Sequence, residues 1–373
     1  MRTCSKTKES DCGKGKRKKK ENGLVKNILI NHKNKIIKKL QGLCINSGDE
    51  IIFKNGFKIK SVKSKKYVQV KNELINNSLT FLGTGCALPS KYRNVSSVLY
   101  NIEDTLILFD VGEDTFSQLN RIYGHLDILK KIKFIFISHS HADHCLGIIN
   151  LLKVIKHNVV VIAPNALIDF LSIYNYKNVE FYDTTPTKEV EPKFNEFFNT
   201  SQKCCKSNLD NIVKELGGLE NVYETIMRDY VFKIEVGDFI FNVCGVEHNL
   251  DSCSVSLVYK NKIKISYSGD TRPSFIFAIM SKDSDALIHE STFNGNNLDK
   301  AIKTKHSTVQ EANIIYEFSK SKTLFLTHFS QRYPKGFITI YRGIPCMDFY
   351  RYVLNESTFD KNKINNFLKT LDF

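Results

Sequence analysis

The densest chemistry in this chain lies in seven consecutive residues, Ser138-His139-Ser140-His141-Ala142-Asp143-His144. Imidazole nitrogens and carboxylate oxygens are ligands for zinc. His139 and His141 stand two apart on what reads as an extended turn, so their rings can face one side of the chain. Asp143 and His144 follow at once and can reach a second ion nearby. A single histidine at the end of a strand is most often a packed or exposed residue. Three histidines and an aspartate, directly after the apolar run Phe134-Ile135-Phe136-Ile137, fit a metal site better. On this segment alone, a His-rich chelating tract without catalysis stays open.

Such donors need a frame, and the sequence beyond Asn77 reads as a regular α/β pattern. Strands are predicted at Leu79–Leu82, Val95–Tyr100, Thr105–Phe109, Lys133–Ile137 and Val159–Ile162. A second run of strands follows at Phe232–Ile234, Phe239–Val246, Val255–Tyr259 and Ile263–Ser268. Helices are predicted at Glu113–Tyr123, Leu146–Ile155 and Leu209–Leu216, and the stretch 183–229 is interrupted by Pro186 and Pro192. From 273 onward helices and strands alternate again. Strands with helices between them in both halves imply two sheets with helices packed outside, an α/β architecture. Residues 50–72 alternate like short strands. The expected division is a basic, disordered tail at 1–47, a short β-like segment or linker at 48–78, and one catalytic domain at 79–373.

Charge is distributed unevenly. Residues 1–78 hold 21 Lys and Arg against 6 Asp and Glu, while the remainder holds 33 of each, so the whole formal charge of +15 sits at the front. A block such as Lys14, Lys16, Arg17, Lys18, Lys19 and Lys20 is usually a solvated tail. It also reads as a nuclear localisation signal or a phosphate-binding arm. The nucleus is therefore the expected compartment, with cytoplasm and mitochondrion as alternatives. No run of 18 apolar residues occurs, so no membrane span is expected. The polar N-terminus, with Glu9 and Asp11, does not read as a secretory or mitochondrial leader. Ten cysteines without a C-x-x-C pair read as free thiols in a reducing compartment.

In His139-x-His141-x-Asp143-His144 the chain resembles the metallo-β-lactamase superfamily. That resemblance implies a four-layer αββα sandwich with further ligands at later strand ends. His248 follows the strand Phe239–Val246, Asp270 lies in Ser268-Gly269-Asp270-Thr271-Arg272-Pro273, and His328 follows Thr323-Leu324-Phe325-Leu326. The resemblance implies two Zn2+ ions, one on His139, His141, His248 and Asp270, the other on Asp143, His144, Asp270 and His328. Asp270 would bridge them.

Further segments resemble ribonuclease Z, the tRNA 3′-end endonuclease family, and especially the catalytic C-terminal half of its long form. They are Phe81-Leu82-Gly83-Thr84-Gly85; the basic loop from Pro89 to Ser97; Phe109-Asp110-Val111-Gly112-Glu113-Asp114-Thr115; His289-Glu290-Ser291-Thr292-Phe293; Lys305-His306-Ser307-Thr308; and His328-Phe329-Ser330-Gln331-Arg332-Tyr333. Asp114 stands where the family usually has glycine, which puts the local turn in question if that position needs a positive φ. The resemblance implies a zinc-dependent endoribonuclease that removes the 3′ trailer of precursor tRNA. Asp143 would orient the attacking water, His306 would be the general acid, and Glu290 its partner. Thr308 and Glu311 read as a capping box that places His306 before a helix N-terminus. The helix dipole there opposes a charged His306, and Glu290 is expected to win if the two side chains touch. Lys91, Arg93, Arg272 and Arg332 are candidate phosphate or 3′-end contacts, Arg93 foremost.

The family's tRNA-gripping arm is not evident. Residues 145–247 contain no Gly-Pro pair, and about 78 residues before the first motif are too few for an N-terminal half. Either the basic segment holds the tRNA instead, or the sequence is a piece of a longer chain. The alternatives are another hydrolase or nuclease of the same fold, or an inactive RNA-binding relative. Monomer and homodimer are both compatible with the sequence.

Overall fold

The structure is a computed structural model that describes residues 74–124, 126–186, 206–333 and 342–354, with four short strands between 44 and 70. The chain divides into two compact units, 1–72 and 73–373. In the first unit, strands β1 (Cys44–Ser47), β2 (Glu50–Phe53), β3 (Lys58–Lys60) and β4 (Gln69–Val70) form an antiparallel sheet in that order. Three of these strands lie in the segment read as β-like, and β1 precedes it. The basic tail at 1–43 lies outside the described residues.

The second unit is a sandwich of two seven-stranded mixed sheets. The first holds β5 (Ser78–Gly83), β6 (Ser97–Ile102), β7 (Thr105–Phe109), β8 (Ile132–Phe136), β9 (Val159–Ala163), β10 (Val179–Asp183) and β18 (Arg351–Val353). Its order is β10-β9-β8-β7-β6-β5-β18. The second runs in chain order through β11 (Val231–Val236), β12 (Phe239–Gly245), β13 (Cys253–Tyr259), β14 (Ile263–Tyr267), β15 (Ala286–Glu290), β16 (Leu324–Thr327) and β17 (Ile344–Pro345).

Side-chain alternation explains why these runs are almost wholly apolar. In β8, Phe134 and Phe136 point between the sheets, while Ile135 points to the outer helices. In β7, Ile107 and Phe109 face inward, and Leu106 and Leu108 outward. Both faces are covered, so neither needs polar residues. Outside the first sheet pack α1 (Thr115–Tyr123), α3 (Ile148–Val154) and α4 (Asn165–Ser172). Outside the second pack α5 (Lys206–Glu215), α6 (Leu219–Asp229), α7 (Phe275–Met280) and α9 (Val309–Ser319). This is the expected four-layer αββα order. Among the described residues no helix is long and apolar enough to cross a membrane.

Two differences from the sequence reading are instructive. The strand expected from Val95 starts at Ser97, because Val95 is held by a loop that crosses Gly83 and Gly85. The edge strand β18 pairs antiparallel with β5, Arg351 opposite Thr80, a partnership that local periodicity cannot reveal.

Candidate metal centre

The functional groups sit at one rim because that is where the parallel strands end. β7 and β8 are parallel, as are β14, β15 and β16. β7 runs into Asp110 and β8 into Ser138 and His139. The short helix α2 (Ala142–Cys145) carries Asp143 and His144. β12 leads to His248, β14 to Asp270 and β16 to His328, while β15 ends in Glu290. Asp110 and His328 both adopt φ 58°, a left-handed turn uncommon for residues other than glycine. Two glycines make the approach close enough. A Cβ on Gly269 (φ 57°) would lie 2.6 Å from Ser138 Cβ, and one on Gly112 would lie 2.3 Å from Asp143 O.

All seven expected ligands meet here. His139, His141, His248 and Asp270 each offer an atom within 4.8 Å of the others, and so do Asp143, His144 and His328. His139 Nε2 lies 2.9 Å from His141 Nδ1, which lies 3.1 Å from His248 Nε2. His144 Nε2 lies 3.2 Å from His328 Nε2. Asp270 Oδ2 stands between the groups, 3.7 Å from His248 Nε2 and 3.2 Å from His144 Nε2.

The donor set fits a metal on three counts. Ligands about 2.0–2.1 Å from a tetrahedral zinc stand roughly 3.4 Å apart, close to these separations. Asp270 Oδ1 is buried and accepts no hydrogen bond, a cost that a cation would remove. Burial opposes charge on His144 and His328, yet Asp270 and the other nearby acceptors push both well above the ordinary histidine range. A site that draws protons onto two buried imidazoles calls for positive charge, which a divalent cation supplies. Burial instead lowers His139, keeping a lone pair available.

Outer partners fix the ligands. Asp110 is fully buried, and its Oδ2 accepts from His144 Nδ1 at 2.6 Å, Tyr267 OH at 2.6 Å and Ser138 Oγ at 2.8 Å. Its Oδ1 accepts from Ser138 N at 2.7 Å. With Nδ1–H directed to Asp110, His144 presents Nε2 to the site. Ala87 N donates to Asp143 Oδ2 at 2.6 Å. The sequence reading assigned no role to Asp110, although a lone acid closing the apolar strand β7 was a usable signal. Thr292, whose Oγ1 lies 2.8 Å from His328 Nδ1, carried no such signal.

Glu290 and His306 touch. His306 Nδ1 lies 2.9 Å from Glu290 Oε1, and Thr271 N and Thr292 Oγ1 donate to the same carboxylate at 2.8 and 2.7 Å. Burial opposes charge on both groups, but each stabilises the other's ion: His306 is raised and Glu290 lowered. The capping box Thr308/Glu311 is present at the start of α9.

The four cationic candidates divide. Lys91 and Arg332 are exposed. Arg93 and Arg272 are buried, which corrects their assignment as phosphate contacts. Arg93 Nη1 donates to Thr84 Oγ1 and Cys346 O, and its guanidinium lies over the Phe329 ring. Arg272 forms a buried ion pair with Glu311 and holds His306 O. Burial removes both guanidinium groups from solvent-borne phosphate, and Arg272 in addition has Glu311 and the His306 carbonyl as fixed acceptors.

A family model described as anti-Pycsar protein Apyc1 matches residues 77–168. Ribonuclease Z of Saccharomyces cerevisiae is 31% identical over 327 residues, covering 74% of this chain and 37% of that protein. The chain thus spans well under two thirds of the length of this curated relative. The crystal structure of the short form of human tRNase Z aligns with a TM-score of 0.57 and 26% identity, over 75% of this chain and 100% of that one. The metallo-β-lactamase fold protein YhfI from Bacillus subtilis aligns with a TM-score of 0.53 at 17% identity, over 74% of this chain and 98% of that one, a likeness of fold alone.

Proposed function

From its metallo-β-lactamase fold, and from the resemblance to ribonuclease Z that runs through that fold, we propose that this chain is a zinc-dependent endoribonuclease that removes the 3′ trailer of precursor tRNA. The observation that carries the reading is the His306–Glu290 pair beside two metal-competent groups, His139, His141, His248 and Asp270 on one side and Asp143, His144 and His328 on the other. A hydrolase that only needed an activated water would have no use for an imidazole paired with a carboxylate there; a phosphodiesterase with a poor leaving group does.

Two Zn2+ ions are proposed, held by His139, His141, His248 and Asp270, and by Asp143, His144, Asp270 and His328. When bound, they would supply Lewis acidity toward water and the phosphate oxygens. The chain's own groups do the rest. Asp143, fixed by Ala87 N–H, orients the attacking water by accepting a hydrogen bond from it. His306 keeps its Nδ1 proton on Glu290 and gives up the Nε2 proton to the departing 3′ oxygen. Glu290 stabilises the imidazolium before transfer and keeps the ring aligned after it. Exposed Lys91 and Arg332 are proposed to contact RNA phosphates. Lys14 to Lys20 are proposed to direct the chain to the nucleus.

The test is incubation of the purified chain with a tRNA precursor bearing a 3′ trailer, with and without chelator. The expected result is one discrete cut leaving a tRNA 3′-hydroxyl, abolished by chelator and by His139→Ala. Retention of intact RNA, or hydrolysis of other esters only, would overturn the proposal.

A further inference from the structure

Helix α8 (Leu298–Lys303) ends beside the centre, and the manner of its ending involves two site histidines at once. Lys305 N–H donates to Ile302 O at 3.2 Å, and His306 N–H donates to Ala301 O at 2.8 Å. With Thr304 as the capping residue, this pair of bonds is a Schellman termination, which requires the next residue to turn left-handed. That residue is Lys305, at φ 55°. Glycine is the usual occupant because a Cβ is strained there. The turn leaves the Lys305 carbonyl accepting from His248 Nδ1 at 2.9 Å. An imidazole whose Nδ1–H is held in this way has its tautomer fixed and presents Nε2 as a ligand atom. His306 follows directly, with its Nδ1 on Glu290 and its carbonyl held by Arg272.

We infer that Lys305 is a positioning residue whose left-handed backbone, not its ammonium group, holds His248 ready for metal and sets His306 in place. The inference rests on the reading of His248 as a metal ligand. It also explains why a solvent-exposed lysine stands in a conformation better suited to glycine: the carbonyl direction is what the site uses, and the side chain is free to face solvent.

The experiment titrates the metal-free full chain with Co2+, reading the visible band of the bound ion, with thermal unfolding of each variant recorded alongside. Lys305→Gly keeps the backbone and removes the charge; it should bind Co2+ like the wild type. Lys305→Val disfavours the left-handed turn and should bind about 10–100-fold more weakly, the range for loss of a histidine's outer partner, with an altered band. Should Lys305→Val not fold, Lys305→Ala carries the same comparison with a smaller penalty. Equal affinity for the glycine and β-branched (or alanine) variants would overturn the inference. So would a glycine variant as weak as the valine one, which would assign the effect to the side chain. Failure of the wild-type chain itself to take Co2+ would instead overturn the metal reading, and this inference with it.

Discussion

At the scale of single residues, the site is a set of imidazoles whose roles are assigned by what holds their far nitrogens. Asp110 does this for His144, the Lys305 carbonyl for His248, and Glu290 for His306. Asp110 is the most demanding case, since one buried carboxylate accepts four hydrogen bonds from three residues. Asp110→Asn keeps the size and tolerates the left-handed φ, but its amide turns donors toward donors. It is expected to weaken metal affinity about 10–100-fold with little change in fold, measured by competition with a chromophoric chelator. Unchanged affinity would show that His144 needs no such partner. The seven ligand candidates were legible in the sequence because their residue types are rare and each follows an apolar strand. Asp110 carried a local signal, a lone acid closing an apolar strand, that went unassigned, whereas a backbone carbonyl that meets a side chain distant in sequence, as Lys305 O meets His248, leaves no local mark. Arg93 and Arg272 were misread for the same reason. A guanidinium looks alike in the sequence whether it faces water or a buried partner such as Glu311.

At the scale of elements, the turn into α1 tests whether Asp114 can hold a positive φ. Asp114 does adopt φ 65°, and its Oδ2 lies 3.3 Å from Arg121 Nη1 about two helical turns on. Aspartate visits this region more readily than alanine does. Asp114→Ala should therefore cost about 1 kcal/mol, while Asp114→Gly should stay within about 0.5 kcal/mol of wild type, because relief of strain is offset by greater freedom of the unfolded chain. Urea unfolding measures both, and a glycine variant as unstable as the alanine one would refute the account. Boundaries in the sequence reading were good where an apolar run was long, as in β7 and β8. They failed where a residue's partner lies elsewhere, as at Val95 and in β18.

At the scale of the whole molecule, the net charge of +15 lies in residues 1–78 and residues 79–373 are formally neutral. If the basic segment grips the RNA in place of a protruding arm, deletion of residues 1–43, which keeps all four strands of the small sheet, should weaken precursor binding and flatten its dependence on salt. Filter binding across a salt series reads both; an unchanged slope would rule this out. By itself the sequence determined the layer order and singled out the candidate metal donors, because strand and helix periodicities and a cluster of rare ligand types are local properties. Only the tertiary structure decided which cations are exposed, which carbonyl holds His248, and that His306 meets Glu290. Those outcomes depend on where strand ends and loops converge, and convergence follows from packing two sheets face to face rather than from the order of residues along the chain.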